Sequence, residues 1–426
     1  MSVDTPATIA IFGAGPIGLE AALYARFLGY KVELFDRGTV AQNVLDWGHV
    51  RLFSPFGMNR STLGVAALAA QDTRWQSPDD SSLLTGREFA DRYLLPLSKT
   101  DLLAGSIHEQ TEVMAVGRDG QLKNENVGIA DRSLAPFRVI VRDANGQERA
   151  VLADVVIDAT GTYGNPCWMG QGGVPAPGER QAAGKIEYHV PDVLGDQRDL
   201  YAGRHTLLVG AGYSAATTAL GLAELSREAV QTRVTWVTRQ ASRADGPIPV
   251  IKDDRLTERD RIGREANALA ASTAETIRRI AGSNVVAIDP MESEGLAVQL
   301  AGECDERLLV DRIIANVGYR PATDLFADLQ VHLCYASDGP MKLAASLSDN
   351  TSTDCLDQVG FGPDSLITTE PNFYILGSKS YGRSSQFLIS IGLRQIRDLF
   401  SIIGDRTDLD LYEGIQKMNT DEGAVA

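Results

Sequence analysis

The chain lacks any run approaching the ~18 uninterrupted apolar residues that a membrane-spanning helix needs. Its start, Met1-Ser2-Val3-Asp4-Thr5-Pro6, has no basic stretch followed by an apolar one, so no secretory leader is expected and the predicted location is the cytoplasm. Cysteine is scarce: Cys167, Cys304, Cys334 and Cys355 stand far apart, with neither Cys-x-x-Cys nor Cys-x4-Cys spacing. That excludes a disulfide scaffold, a zinc ribbon and a reaction run by a local dithiol. The five histidines are scattered, with no cluster at metal-ligand spacing, so no metal site is expected. Basic residues are outnumbered, 40 against 56 acidic, for a net charge of -16. Such a field repels phosphate backbones and argues against a nucleic-acid partner. Any anionic cofactor must be held by local dipoles and a few cations.

What the chain does have is glycine, 41 residues in 426, together with an ordinary globular balance of 44% hydrophobic and 23% charged residues. A chain of this length exceeds one small core and predicts at least two domains. The apolar run Thr8-Ile9-Ala10-Ile11-Phe12 reads as a buried strand and runs directly into Gly13-Ala14-Gly15-Pro16-Ile17-Gly18. Apolar residues then recur at helical spacing to Phe27, Gly29 ends the helix, and a second strand, Lys31-Val32-Glu33-Leu34-Phe35, closes on Asp36 and Arg37. In such a β-α-β unit Gly13 serves the tight turn, Gly15 lets a diphosphate approach the backbone, and Gly18 lets the helix pack on the strand. Pro16 falls where its missing N–H would have been unpaired, and the remaining free N–H groups face an anion. Asp36, 18 residues after Gly18, stands where a ribose hydroxyl would be accepted.

The pattern returns about two hundred residues later. His205-Thr206-Leu207-Leu208-Val209 reads as a strand, Gly210-Ala211-Gly212-Tyr213-Ser214-Ala215 as the turn, and 216–225 as its helix. Ala215 replaces the third glycine and is still small enough for close packing. The next strand, Arg233-Val234-Thr235-Trp236-Val237, ends in Thr238-Arg239 instead of an acid. A guanidinium there suits a 2′-phosphate, which favours NADPH over NADH. One such unit fits any dehydrogenase, whereas two in one chain predict hydride transfer between two bound dinucleotides.

Three further motifs, in order, carry a resemblance. They are Asp154-Val155-Val156-Ile157-Asp158-Ala159-Thr160-Gly161, then Arg312-Ile313-Ile314-Ala315-Asn316-Val317-Gly318-Tyr319-Arg320-Pro321, then Asn372-Phe373-Tyr374-Ile375-Leu376-Gly377-Ser378. With the two glycine turns they make the chain resemble the two-dinucleotide flavoproteins, and among these the flavin-containing and N-hydroxylating monooxygenases. The resemblance implies an α/β fold of two Rossmann-like domains: an FAD domain over 1–165 and 341–426, split by an inserted NAD(P)H domain over 166–340. It implies FAD near the first turn, held also by Thr160 and Gly161 and by Gly377 and Ser378. It further implies NADPH at the second turn, with Ser214 at its diphosphate. The chain departs from the pattern where Ser378 stands in place of the superfamily's frequent aspartate. Around His189 there is no F-x-G-x-x-x-H, because the glycine, Gly184, lies one place early.

The pocket is sought in two stretches. The run 43–60 mixes aromatics, Gly, Pro and cations without helix or strand period, as a loop lying along a flavin ring would. It supplies Trp47 and His49 as cofactor contacts, Asn59 as the resemblance's flavin-side asparagine, and Arg51 and Arg60 as cations for a phosphate or acidic substrate. The run 377–386 precedes a closing helix expected over 386–402, whose N–H groups, with Lys379, Arg383 and Gln386, would face the flavin. Residues 61–100 read as helical cover, 109–141 as strands with a turn at Asp119-Gly120-Gln121, 253–280 as a charged helical lid, and 421–426 as a frayed end. The resemblance thus implies an NADPH-using, FAD-dependent monooxygenase. It would oxygenate a small nucleophile at nitrogen or sulfur with molecular oxygen, through a flavin hydroperoxide. The alternatives are a flavoprotein reductase or dehydrogenase without oxygen insertion, and a non-catalytic nucleotide-binding protein.

Overall fold

The computed structural model describes residues 3–241, 246–272, 277–291, 295–349, 352, 354–357 and 360–423. The chain opens with β1 (Thr8–Phe12), α1 (Pro16–Phe27) and β2 (Lys31–Phe35), which pair and pack as the first β-α-β unit. Helical cover follows. Ser61 caps the helix Thr62–Gln71 by accepting the Gly64 N–H at 2.7 Å, and Thr85 and Glu88 form a reciprocal capping box at the start of Gly86–Phe89. Strand β3 (Ile107–His108) joins β2. A three-stranded antiparallel meander, β4 (Glu112–Arg118), β5 (Phe137–Arg142) and β6 (Glu148–Ala153), precedes the buried strand β7 (Val155–Asp158) beside β1.

The chain then enters a second compact unit, Pro166–Tyr319. Here β8 (Ile186–Glu187), β9 (His205–Val209), α2 (Tyr213–Glu228), β10 (Arg233–Val237), α3 (Thr257–Ala271) and β11 (Ile277–Ile280) are followed by a meander of β12 (Ser283–Pro290), β13 (Leu296–Gly302) and β14 (Glu306–Val310), and by β15 (Arg312–Ala315). The main sheet is parallel, in the order β11-β10-β9-β15-β8. The stretch 253–280 is therefore a helix and a strand. Ile277 and Ile280 are buried at the sheet edge, which a solvated lid would not require.

Arg320–Ala426 completes the first unit, contributing β16 (Phe373–Ile375), α4 (Ile389–Ile403) and α5 (Leu411–Gly423). Its sheet is parallel, in the order β16-β7-β1-β2-β3, so residues near 9, 156 and 374 lie in one layer. The central strands are buried on both faces, which is why they read as continuous apolar runs. The fold class is α/β with two dinucleotide-binding units. The end expected to fray from residue 421 is helical to Gly423, and 424–426 lie outside the described residues.

The return to the first unit lies at Tyr319/Arg320, not at 340. The reason is burial: Phe326 and Leu329 sit in one apolar cluster with Val116, Phe137 and Phe373. The same segment is pinned by a buried ion triad. Glu370 accepts from Arg118 at 2.8 Å and from Arg132 at 3.0 Å, and its second oxygen takes the Gln330 N–H at 2.7 Å. Removing one member of such a network leaves uncompensated charge in a dry interior. Glu370→Ala is expected to lower the free energy of unfolding by about 3–5 kcal/mol, read from the denaturant midpoint. A loss below about 1 kcal/mol would show that the two arginines find other partners.

Candidate functional site: two glycine turns

In the first unit the turn between β1 and α1 is built by close approach. Gly13 has φ +95°, and a Cβ there would lie 2.7 Å from the Ala159 carbonyl oxygen, while one on Gly18 would lie 1.8 Å from the Gly13 carbonyl oxygen. Both must be glycine for the fold. Gly15 differs: its backbone is extended (φ -80°, ψ -173°) and a Cβ would meet no protein atom within 4 Å. The fold does not need a glycine at that point, whereas a ligand lying against the backbone does. α1 begins with Pro16 and has no side-chain cap, so its first-turn amides point at that open space.

Asp36 ends β2 beside this space. Its Oδ2 accepts the Ala14 N–H at 2.7 Å and its Oδ1 the Gly38 N–H at 2.8 Å, which orients the carboxylate at the edge of the turn. The exposed Arg37 lies over Gly164, where a Cβ would sit 2.2 Å from its Nη2. A cleft of about 640 Å³ opens alongside, lined by Arg37, Gly38, Gln110, Glu112, Arg142 and Asp143. On the other side, Thr160-Gly161 follows β7 and faces Ser378, whose Oγ is 3.3 Å from a Cβ placed on Gly161. Ile17 fits between Gly377 and Gly392 of α4. Gly13, Gly15, Pro16, Ile17, Gly18, Asp36, Arg37, Thr160, Gly161, Gly377 and Ser378 are thus gathered around one end of the sheet.

The geometry also shows a pair that the sequence patterns did not single out. Asp158, buried at the end of β7, accepts from Lys379 Nζ at 2.6 Å and from Thr160 Oγ1 at 2.7 Å, and Lys379 reaches Thr160 Oγ1 at 3.0 Å. Lys379 therefore ties the turn after β16 to the turn after β7 and does not project a charge into the site. Arg383 is paired with Asp338 at 2.7 Å. α4 starts at Ile389, three residues later than expected, because Leu388 is still extended (φ -120°, ψ 149°). Gln386 lies ahead of the helix and donates to the Ser352 carbonyl at 3.2 Å.

The loop 43–60 does not present the residues assigned to it as a catalytic set. Asn59 is buried, and its amide is committed to its own loop: Nδ2 donates to the Ser54 and Pro55 carbonyls at 3.0 and 3.2 Å, and Oδ1 accepts from Ser54 Oγ at 2.9 Å. Arg60 makes a two-point ion pair with Asp80, 2.9 and 2.5 Å, and Arg51 donates to the Leu83 carbonyl. A short, polar-rich loop must satisfy its own carbonyls once buried, which no periodicity reports. Trp47 lies against Gly86, where a Cβ would come within 2.5 Å of the ring, and His49 is exposed.

The second unit repeats the first turn's geometry. A Cβ on Gly210 (φ +143°) would lie 2.3 Å from the Asn316 carbonyl oxygen and 3.3 Å from the Ala215 Cβ. Gly212 is again extended, with nothing within 4 Å of a Cβ, and α2 starts without a side-chain cap. Ser214 is exposed in its first turn, Ala215 is fully buried, and Tyr213 turns its hydroxyl to the Pro249 carbonyl at 2.7 Å. Two residues missed by pattern reading brace this turn. Trp236 Nε1 donates to the Gly210 carbonyl at 2.9 Å, and Asn316 accepts from Thr218 Oγ1 at 2.7 Å while donating to the His189 carbonyl at 2.8 Å. His189 itself stacks on Tyr319 and meets its hydroxyl at 2.9 Å. Arg239 is exposed just beyond β10.

The glycines separate fold from ligand. Gly15→Val and Gly212→Val are expected to unfold within about 0.5 kcal/mol of the unaltered protein yet weaken FAD and NAD(P)H binding, respectively, by about tenfold or more. Gly18→Ala instead should cost stability, about 1–3 kcal/mol. Calorimetry of unfolding beside nucleotide titration checks all three, and normal binding by either valine variant would remove the ligand from the explanation.

The sequence profile of the pyridine nucleotide-disulphide oxidoreductases matches residues 10–344. No curated protein sequence matches the chain. Among solved structures, a bacillithiol disulfide reductase (Bdr, YpdA) from Bacillus cereus superposes with a TM-score of 0.64 at 20% identity, over 94% of this chain and 99% of that one. The FAD-bound cadaverine monooxygenase DfoA of desferrioxamine biosynthesis, from Erwinia amylovora, gives 0.62 at 14% identity over 95% of each chain. Thioredoxin reductase from Lactococcus lactis gives 0.55 at 16%, over 94% and 98%. The profile match spans most of the chain and includes the first turn from Ala10 and the whole second unit. The protein accordingly belongs to the pyridine nucleotide-disulphide oxidoreductase family, flavoprotein oxidoreductases that use FAD with NAD(P)H.

Proposed function

We propose that this flavoprotein is an NADPH-using, FAD-dependent monooxygenase that oxygenates a small nucleophile at nitrogen or sulfur. The observation that carries the reading is the cysteine distribution: all four are free and none are spaced as a redox pair. Without a local dithiol, electrons gathered in the first unit leave to a diffusible acceptor. The fold shared with a cadaverine monooxygenase as well as with disulfide reductases is compatible with molecular oxygen as that acceptor. Bound FAD would supply the two-electron carrier and the nicotinamide the hydride. The chain's part is to hold two diphosphates on uncapped helix starts, orient a ribose at Asp36, and fix the flavin-side turns through Asp158, Thr160 and Lys379.

One observation favours a second reading. Asn59, Arg51 and Arg60, which the resemblance put in the oxygenation chemistry, are committed to structural partners. A reductase acting on a diffusible acceptor needs none of them. The two readings separate when enzyme reduced anaerobically by NADPH is mixed with oxygen and candidate amines or thioethers. An oxygenated product seen by mass is the expected result. Stoichiometric peroxide release with every substrate offered would reject the monooxygenase in favour of the reductase.

The nicotinamide preference rests on Arg239, exposed at the end of β10 where the first unit has Asp36. Losing one charge-assisted contact to a 2′-phosphate costs about 1.5–3 kcal/mol. Arg239→Ala should therefore raise the Kd for NADPH by about tenfold or more and leave that for NADH unchanged. An equal change for both nucleotides would assign Arg239 to the fold.

A further inference from the structure

Beneath the first glycine turn lies a buried acid with no part in the proposed chemistry. Glu20 stands on α1 two residues past Gly18 and is 2% exposed. Around it are Ser61 at the cap of the helix Thr62–Gln71, Tyr93 from the turn Ala90–Leu94, Tyr24 from α1 itself, and Tyr412 from α5. Oε1 of Glu20 and the Tyr412 hydroxyl have no hydrogen-bond partner among the described residues. Burial pushes the Glu20 carboxyl up to about 7, and the nearby Ser61 and Tyr412 hydroxyls offset only part of that. The groups facing it do not titrate there. Burial raises the phenols of Tyr93 and Tyr412, and pushes that of Tyr24 to about 12. The charges beyond them are Arg60 near Tyr93, and Arg397 and Asp410 near Tyr24, the latter two bridged at 3.6 Å.

α5 rests on this acid by few contacts. Leu411, Tyr412 and Ile415 pack against the main core cluster, the Leu411 N–H donates to the Tyr24 hydroxyl at 3.1 Å, and Thr62 Oγ1 donates to the Tyr412 carbonyl at 2.8 Å. Glu413, Gln416 and Lys417 face solvent, and Gly414 sits in the helix, where glycine is about 1 kcal/mol worse than alanine. A helix so weakly formed by itself depends on its docked face.

We propose that α5 is a proton-gated strap on the FAD-binding unit: Tyr412 seats over neutral Glu20, and ionisation of Glu20 undocks the helix and loosens α1, which carries the first dinucleotide turn. The sign follows from linkage. Docked, the carboxyl keeps its proton to about neutrality; undocked and wet, it returns toward its ordinary value of 4.5. The docked state therefore binds more protons between those values, so docking is fully favoured below them and is lost as pH rises through about 7.

Amide hydrogen exchange of the full-length, FAD-loaded protein tests this. After correction for intrinsic rates, exchange across Leu411–Gly423 should be about tenfold faster at about pH 8.5 than at about pH 6, with β1 and β7 unchanged. Glu20→Gln should hold the helix protected at both. Should that variant fail to fold, Tyr412→Phe, which removes the hydroxyl that offsets part of the burial, should move the midpoint of the wild-type exchange curve upward. A pH-independent corrected rate in the unaltered protein, or a slope that survives Glu20→Gln, overturns the strap. Simultaneous loosening of β1, β7 and α5 overturns it too, because Glu20 would then govern global stability alone.

Discussion

Everything about the two dinucleotide turns depends on one contact made twice. The first glycine of each turn faces a backbone carbonyl at the end of the neighbouring parallel strand, Ala159 for Gly13 and Asn316 for Gly210, too close for any side chain. This contact sets where the next helix begins. With the helix start fixed, the second glycine, Gly15 or Gly212, is left in extended backbone that faces open space. Anion binding then needs little more, because an uncapped helix start already aims its amides and its dipole at that space. In a chain of net charge -16 such local arrangements matter more than the overall field, which opposes the ligand.

The first turn carries an added constraint, since its sheet is assembled from two distant parts of the chain. β16 must find β7 after the whole second unit has intervened, and two buried ionic links make that placement specific. Asp158 with Lys379 joins the turns that follow the two strands, and Glu370 with Arg118 and Arg132 joins the returning segment to the meander. Buried pairs of this kind add little net stability compared with apolar packing. Their value is registration: a slipped strand would leave charges in a dry interior unpaired. Lys379 illustrates the point, because its position beside a cofactor turn suggested a ligand role while its burial at 2% exposure gives it a structural one.

What was legible in the sequence was whatever a short periodic run encodes. The strands at Thr8–Phe12 and His205–Val209, both turns, and the acid and arginine ending the second strands are local, and local spacing determines them. The thiol inventory was equally local. Less legible was anything settled by pairing across the chain. Asn59 reads as a flavin contact until Ser54 and Pro55 are seen to take its amide, and Arg60 reads as an available cation until Asp80 appears twenty residues away. The boundary expected at 340 failed for a related reason: Phe326 and Leu329 carry no periodic signal that says which unit's core they fill. Trp236 and Asn316 were invisible for the same cause, since one indole N–H and one amide brace a turn from strands that only the folded sheet brings alongside.

The two turns, alike in backbone, differ at the position that meets a ribose. At the first, Asp36 is fixed by two backbone N–H groups and presents acceptors, which suits free hydroxyls and disfavours an added phosphate. At the second, Arg239 presents only donors and a charge. If both turns had ended in an acid, two dinucleotides of nearly equal diphosphate geometry would compete for either site, with the amides alone unable to choose. The opposite ends remove that degeneracy, partly by attraction and partly by repulsion, and specificity of this sort is a difference between two affinities. The same diphosphate cradle thus accepts different nucleotides because of one side chain about twenty residues beyond it, at the end of a strand the cradle never touches.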